Sequence, residues 1–445
     1  MQFGQDRPDA APDRRGFLAG AAVAAAVMAV PGAARAEASE RLVFGAIGCG
    51  GQGSFLARSF AGQPDVELAY VCDVDASRAH EAAAKIEEIT QKRPQVVSDL
   101  RQVLDDKSVD AVIVATPDHW HGPAAILACQ AGKHVYVEKP CAHNIREGRM
   151  MIEAARRHNR VVQVGTQSRS AAHIQKAFEL LRQGAIGDVL VAKAWNSQLR
   201  GEIGRGVQPS EPPAGVDYDA WIGPAPFVPF QANRFHYGWH WWHDFGTGDM
   251  GNDGIHEVDI ARWGLGVESH PNRVAALGGK YRFDDDQQFP DTQYVAFEYA
   301  GDGTVGHKRQ LVFEMRLWSP YVQEGHENGN AFYGTDGLLV LGKKAGWQLY
   351  GRKNKLIDSM KADELGTPHH RNFIDCIRSG NRPNADIEIS HFSTALCHLG
   401  NIACRVGRQL QFDSTSERIV GDNEADRLVG RTYREGHWAV PRTQT

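Results

Sequence analysis

The 445-residue sequence has no excess of positive charge, no metal-binding cysteine pattern and no internal repeat. Its 49 Lys+Arg stand against 54 Asp+Glu, a formal net charge of −5, with a pI of 6.4. A nucleic-acid binder normally carries a basic face and a higher pI, so that class is excluded. The seven cysteines (Cys49, Cys72, Cys129, Cys141, Cys376, Cys397, Cys404) are odd in number and include no C-x-x-C pair. They form neither a disulfide framework nor a zinc ribbon and are expected to be mostly buried and structural. Cys397 and Cys404 stand seven positions apart on an expected helix, about 10 Å along its axis, too far to bridge. Low-complexity tracts are missing as well. With 42% apolar and 23% charged residues, disordered and collagen-like classes are excluded, and the length suggests two or three domains.

An apolar run without charges lies near the start. Asp13-Arg14-Arg15-Gly16-Phe17-Leu18 resembles the twin-arginine export motif, an Ala/Val-rich run from Ala19 to Val30 follows, and Ala34-Arg35-Ala36 supplies an A-x-A cleavage site. The run is shorter than the roughly 20 residues that span a bilayer. Residues 1–36 are therefore expected to be a removable signal peptide, leaving no membrane integration after cleavage and a periplasmic protein exported already folded. Removal takes Arg7, Arg14, Arg15 and Arg35 against Asp6, Asp9 and Asp13, so the mature chain is formally −6.

Glycine, at 47 residues, is plentiful. Its first cluster follows a short apolar run, Leu42 to Ile47, as Gly48-Cys49-Gly50-Gly51-Gln52-Gly53. A helix-like segment from Ser54 to Ala61 and a second strand candidate from Val66 to Cys72 follow, ending in Asp73. This strand, glycine loop, helix, strand and acid order is a dinucleotide-binding signature. Gly48 permits the tight turn, Gly50 lets a pyrophosphate approach the backbone, and Gly53 allows close helix packing. Asp73 suits the ribose hydroxyls and repels a 2′-phosphate, so NAD is expected over NADP, with Arg78 able to soften that preference.

Strand and helix signals go on alternating: strand at Asp110 to Ala115, helix at Gly122 to Ala131, strand at His134 to Val137, helix at Ile145 to His158, strand at Val161 to Val164. Such alternation specifies a doubly wound parallel sheet whose ligands sit at the carboxyl ends of the strands. Those exits read Thr116-Pro117-Asp118-His119-Trp120-His121, then Glu138-Lys139-Pro140, then Gly165-Thr166-Gln167-Ser168.

With the glycine loop, Thr-Pro-x-x-x-His, Glu-Lys-Pro and the later Gly254-Ile255-His256, the chain resembles the glucose–fructose oxidoreductase / inositol dehydrogenase (Gfo/Idh/MocA) family. The resemblance covers about residues 40–435 and is strongest to exported members. It implies a Rossmann domain followed by an α+β domain with a large open, mostly antiparallel sheet. It further implies that Lys139 orients the reacting hydroxyl and relays its proton, and that His256 is the acid/base. Glu138 would touch the nicotinamide-side ribose, and His121 would lie near the nicotinamide ring. Thr116 and Pro117 are expected against the nucleotide, and Gln167 against the substrate. Well-studied inositol dehydrogenases have Asp four residues before that histidine, whereas Asn252 stands here, with Asp253 and Asp249 beside it. Asn252 and Asp253 are both counted as substrate-side residues, and which of them orients His256 stays open.

These residue types suit hydride removal from a secondary alcohol. The hydroxyl proton must leave as the hydride does, so a base must lie within hydrogen-bond reach. Histidine titrates in the right range, and a lysine beside a positive nicotinamide loses its proton more readily.

Three of the ten tryptophans fall within Trp239-His240-Trp241-Trp242, ahead of a second glycine cluster that runs from Gly246 to Gly254. Aromatic faces beside polar groups suit a carbohydrate. An aromatic core patch under a loop is the alternative. Trp239 and His240 are the residues expected to touch a sugar. His240 and His243 have a spacing seen at zinc sites, but no cysteine or H-E-x-x-H accompanies them, so no metal is expected.

After Ala171 longer strand candidates replace the alternation: Asp188 to Asn196, Asn272 to Arg282, Thr292 to Tyr299, Gln310 to Trp318 and Gly337 to Leu341. Segments 371–379 and 390–405 are expected to be helices returning to the first domain. The expected division is signal peptide 1–36, Rossmann domain 40–170 and α+β substrate-binding and oligomerisation domain 171–435, in a homo-oligomer. The leading expectation is an NAD-dependent oxidoreductase acting on a sugar, polyol or sugar derivative, with a tightly held, recycled cofactor. The alternatives are an NAD-dependent redox-assisted glycoside hydrolase and a cofactor-bearing carbohydrate-binding protein without turnover.

Overall fold

The computed structural model describes residues 41–442, so the expected signal peptide lies outside the described residues. The first half alternates β1 (Leu42–Ile47), α1 (Gly51–Ala61), β2 (Val66–Cys72), α2 (Ala76–Thr90), β3 (Gln95–Val97) and α3 (Leu100–Asp105). It continues through β4 (Ala111–Val114), α4 (Asp118–Gln130), β5 (His134–Val137), α5 (Ile145–Arg157) and β6 (Val162–Val164). The six strands form one parallel sheet in the order β3-β2-β1-β4-β5-β6. The order reverses between β1 and β4, which opens a crevice at their carboxyl ends. Strand β4 is buried throughout, as a central parallel strand covered by helices on both faces must be.

The second half runs α6 (Ala172–Arg182), β7 (Val189–Asn196), α7 (Tyr218–Ile222), α8 (Gly248–Asn252), α9 (Gly254–Leu265), β8 (Arg273–Gly279) and β9 (Thr292–Tyr299). Strands β10 (Arg309–Arg316), β11 (Asn328–Gly334), β12 (Leu338–Gly342), β13 (Gly346–Gly351) and β14 (Lys355–Met360) follow. Then come α10 (Gly366–Ser379), α11 (Ile387–Val406), β15 (Leu410–Asp413), β16 (Arg418–Val420) and α12 (Asn423–Arg427). Ten strands form a second sheet, β14-β13-β12-β11-β7-β10-β9-β8-β15-β16, antiparallel except for the parallel β7–β10 pair. The fold is therefore α/β, a parallel doubly wound sheet followed by a large, mostly antiparallel one. One face of the second sheet packs on α9 and α11 through Val258, Val274, Val295, Phe297 and Leu399.

Helix α10 completes the first layer. Its Phe373 and Ile374 share a core with Phe44, Phe60 and Tyr136, and Arg371 makes a two-pronged ion pair with Asp65 at 2.8 and 2.9 Å. Helix α11 packs along α5. Helix α4 begins four residues before the expected Gly122, because Pro117 sets the entry and Asp118 occupies the first turn. Gly122 is interior to that helix for a tertiary reason: a Cβ there would lie 2.8 Å from the Glu147 carboxylate of α5. No helix among the described residues is long and apolar enough to cross a membrane.

Candidate active site

A cavity of about 870 Å³ runs from the switch point between β1 and β4 to the start of α9. At one end, Gly48 has a φ of +88° and its Cβ position is closed by the Ala115 carbonyl at 2.5 Å, while a Cβ on Gly53 would meet the Gly48 carbonyl at 1.9 Å. These two glycines are required by packing. Gly51, in contrast, has nothing within 4 Å of its Cβ position, and Gly50 faces only the Arg78 guanidinium. Open space at Gly50 and Gly51 and the free N–H groups of the first turn of α1 make a cradle for phosphates. The helix starts at Gly51 rather than at Ser54, so the second half of the glycine loop is its first turn.

Asp73 lies at the end of β2 and lines the cavity. Its Oδ2 accepts from the Cys49 N–H at 2.6 Å and its Oδ1 from the Asp75 N–H at 2.9 Å. Burial raises its carboxyl above the usual range, against those two bonds. Arg78 and Arg101 line the same end. Gln52 donates to Glu138 Oε1 at 2.8 Å, and the Lys139 N–H donates to Glu138 Oε2 at 3.0 Å, which fixes that carboxylate at the exit of β5. A nicotinamide nucleotide fits this set of groups. Gly48 to Gly53 would hold its phosphates, Asp73 a ribose at one end, and Thr116, Pro117, His121 and Glu138 the length between.

At the other end, Lys139 Nζ donates to the Asn252 main-chain oxygen at 2.6 Å and to Asn252 Oδ1 at 3.3 Å. An ammonium has three N–H groups, so one remains for a ligand. Asn252 Nδ2 donates to Asp249 Oδ1 at 3.0 Å, and Arg200 pairs with Asp249 at 3.2 Å and with Asp253 at 3.4 Å. Lys343 pairs with Glu257 at 2.9 Å and with Asp253 at 3.6 Å. His256 lines the cavity above this network, and burial first, then Lys343 and Lys139, hold its ring well below its ordinary value. A neutral imidazole at the cavity wall can accept a proton. Burial would raise the Asp253 carboxyl, but Lys343, His256, Lys139 and Arg200 outweigh it and hold it below the usual range.

Comparison with known proteins agrees with the two-sheet fold. Residues 42–166 match the model of an oxidoreductase family with an NAD-binding Rossmann fold. Residues 189–305 and 333–440 match that of the same family's C-terminal alpha/beta domain. The chain belongs to the Gfo/Idh/MocA oxidoreductase family.

An uncharacterized oxidoreductase of Streptococcus pneumoniae is 28% identical over 262 residues, 58% of this chain and 60% of that one. An alpha-N-acetylgalactosaminidase of Shewanella oneidensis is 31% identical over 156 residues, 34% of each chain. The matches thus span less than two thirds of these relatives. Among solved structures, the WlbA dehydrogenase of Bordetella pertussis, in complex with NADH and UDP-GlcNAcA, superposes with a TM-score of 0.62 at 22% identity, covering 84% of this chain and 99% of that one. That likeness concerns the fold.

Within this Gfo/Idh/MocA chain, Lys139, Gln167, Trp239, His240, Asn252 and His256 all line the one cavity, together with Gly48, Gly50, Gly51, Gln52, Gly53, Asp73, Thr116, Pro117, His121 and Glu138. Asp253 is not among the lining residues and points instead into the salt-bridge network under His256. Asn252 spends its amide on Lys139 and Asp249 rather than on His256. Asp249, one turn earlier, is a buried carboxylate that Asn252 and Arg200 hold. His121 sits with its two ring nitrogens 2.7 Å from the Pro140 carbonyl and 2.9 Å from the Thr116 carbonyl. Burial pushes it down to about 4, so the neutral ring donates to only one of them.

The aromatic run divides. Trp239 and His240 stack at 3.6 Å on the cavity wall, Trp241 is buried, and Trp239 and Trp242 both pack beside the Trp221–Phe235–Phe245 core. The aromatic core patch is thus present, with Trp239 at its edge on the cavity. His243 faces away from this cavity. The sequence reading missed Arg200, Tyr237, Lys343 and Glu257, although Tyr237 lies beside the aromatic run and Glu257 directly follows His256. It also missed Asp118, whose carboxyl lines the cavity, accepts from Thr247 Oγ1 at 2.7 Å and is pushed up to about 7 by burial. The Thr-Pro-Asp text was the available signal. Among the described residues, one group has metal-ligand disposition: His270, His391 and Glu417, all buried, with Arg149 also on Glu417.

Proposed function

We propose that this oxidoreductase removes a hydride from a secondary alcohol of a sugar, polyol or sugar derivative. The observation that carries this reading is the convergence of Lys139 and His256 on one cavity that also contains the phosphate cradle. A nicotinamide bound there supplies the hydride acceptor. Lys139 holds the reacting hydroxyl with its remaining N–H, and His256, neutral at pH 7, takes the proton. Trp239 and His240 offer a flat face for the C–H side of a sugar ring. If the pure protein neither releases a nicotinamide nucleotide on denaturation nor binds one when supplied, the reading fails.

NAD is the proposed nucleotide because Asp73 presents a carboxylate at the ribose end. Arg78 and Arg101 at that end are the groups a 2′-phosphate would use, so comparing the affinities of NAD and NADP decides the point. We also propose export by the twin-arginine route, on the residues 13–36 pattern, with the nucleotide carried along and recycled. A homo-oligomer is proposed through the second sheet's open face, where Leu277 and Tyr294 stand opposite one another and are 71% and 42% exposed. Light scattering of the purified chain checks this.

A second reading, redox-assisted glycoside cleavage, is favoured by the similarity to the Shewanella oneidensis alpha-N-acetylgalactosaminidase. It predicts cleavage of a chromogenic glycoside without net NADH. A steady absorbance rise at 340 nm without cleavage excludes it.

A further inference from the structure

A second cavity of about 300 Å³ shares no lining residue with the first. The wall between them includes the first turn of α4, where Asp118 of the main cavity meets Thr247 of the second one. The floor of the second cavity carries buried polar groups without hydrogen-bond partners. His143 is 91% buried by its 9% exposure, and neither ring nitrogen makes a hydrogen bond. Arg431 gives Nε to Glu147 at 2.7 Å and Nη2 to the His119 carbonyl at 2.7 Å, leaving a buried Nη1 unpaired. Asn144 caps α5 through Oδ1, and its buried Nδ2 is also unpaired.

At the rim stand Arg405 and Arg427, both exposed and without a hydrogen bond or ion pair among the described residues. Asp244 is the only acid on the lining. Buried polar groups are ordinarily satisfied, and a floor that offers Arg431 Nη1, Asn144 Nδ2 and the single N–H of a neutral His143, under two guanidinium groups, selects an acceptor-rich anion. The volume admits a group of monosaccharide size or smaller. We infer that this second cavity is a binding site for a small oxyanion, a phosphate or a carboxylate, separate from the nucleotide and substrate cavity.

The test is isothermal titration of the full-length purified protein saturated with NAD, so that the phosphate cradle of the first cavity is already filled. Inorganic phosphate and acetate are titrated separately. Uptake of phosphate alone assigns a phosphate ligand, uptake of acetate alone a carboxylate, and uptake of both the shared chemistry. Arg427→Ala, at an exposed position, is expected to weaken binding roughly tenfold through loss of a charge-assisted bond, with its thermal midpoint unchanged in the absence of anion. His143→Gln is expected to weaken it too. Binding of neither anion, or equal binding by wild type and Arg427→Ala, overturns the proposal, as does binding seen only without NAD.

Discussion

Lys139 Nζ lies 2.6 Å from the main-chain oxygen of Asn252, a contact between residues 113 positions apart that joins the exit of a parallel strand to the end of α8. The ammonium is thereby aimed into the cavity from a fixed point. On the proposed reading, Lys139→Met removes the donor that holds the reacting hydroxyl. Activity is expected to fall by about 10²- to 10⁴-fold with nucleotide binding kept, measured as NADH formation and nucleotide affinity on the same samples.

Asn252→Asp tests the contact between Asn252 and Asp249. The change replaces the N–H that Asn252 donates to Asp249 with a second carboxylate at the same 3.0 Å contact. Two carboxylates there repel, with Arg200 as partial compensation, and a cost of about 1–3 kcal/mol is expected. A thermal midpoint equal to that of the wild type would show that the two groups do not interact.

The pH profile follows from His256. Burial and the neighbouring Lys343 and Lys139 hold its ring well below 6.5. A base must be neutral to act, so kcat/KM is expected to stay flat through pH 6.5 and to fall only on further acidification. Lys343→Met removes one repelling charge and is expected to move that acid limb upward. An unmoved limb assigns the acid titration to another group.

The two glycine roles separate by substitution. Gly53→Ala drives a methyl into the Gly48 carbonyl, at 1.9 Å, and is expected to destabilise the fold by about 1–3 kcal/mol. Gly51→Ala meets no protein atom within 4 Å, so its thermal midpoint is expected to hold while nucleotide affinity drops. Calorimetry with and without nucleotide distinguishes them.

Glu417 gives a pH-dependent stability. Burial alone would raise its carboxyl, but bonds from His270, His391 and Arg149 outweigh that and hold it far below its usual 4.5. A depressed carboxylate stabilises above its unfolded value and loses that contribution as pH falls through the folded one. Glu417→Gln is expected to cost about 1–3 kcal/mol at pH 7, allowing for the partly exposed Arg149. The gap to wild type should hold down to about pH 4.5 and close below it. A constant gap at pH 3.5 would contradict this linkage.

Legibility in the sequence was uneven for identifiable reasons. The strand–glycine–helix–strand–acid order is local, and the chemistry of a phosphate turn constrains residue type at each step, so the first cavity wall could be written down from residues 42 to 73. The start of α4 was missed by a turn because Gly122 and the histidines look like loop text, and only the approach of Glu147 explains that glycine. Strands β11, β13 and β14 escaped notice because their pairing, not their composition, makes them strands.

What the sequence by itself determined is the glycine-loop pattern and the parallel sheet, since each depends on spacing within one or two consecutive elements, while Lys139 and His256 became candidates through the family resemblance. Only the tertiary structure decided that Asn252 accepts from Lys139 and donates to Asp249. It alone also brought Arg200 and Lys343 onto Asp253 and left Trp239 with one side on the cavity while Trp241 was buried. Those outcomes depend on charges and rings from distant segments sharing one buried volume, where each group's partner is chosen by distance and desolvation rather than by position in the chain.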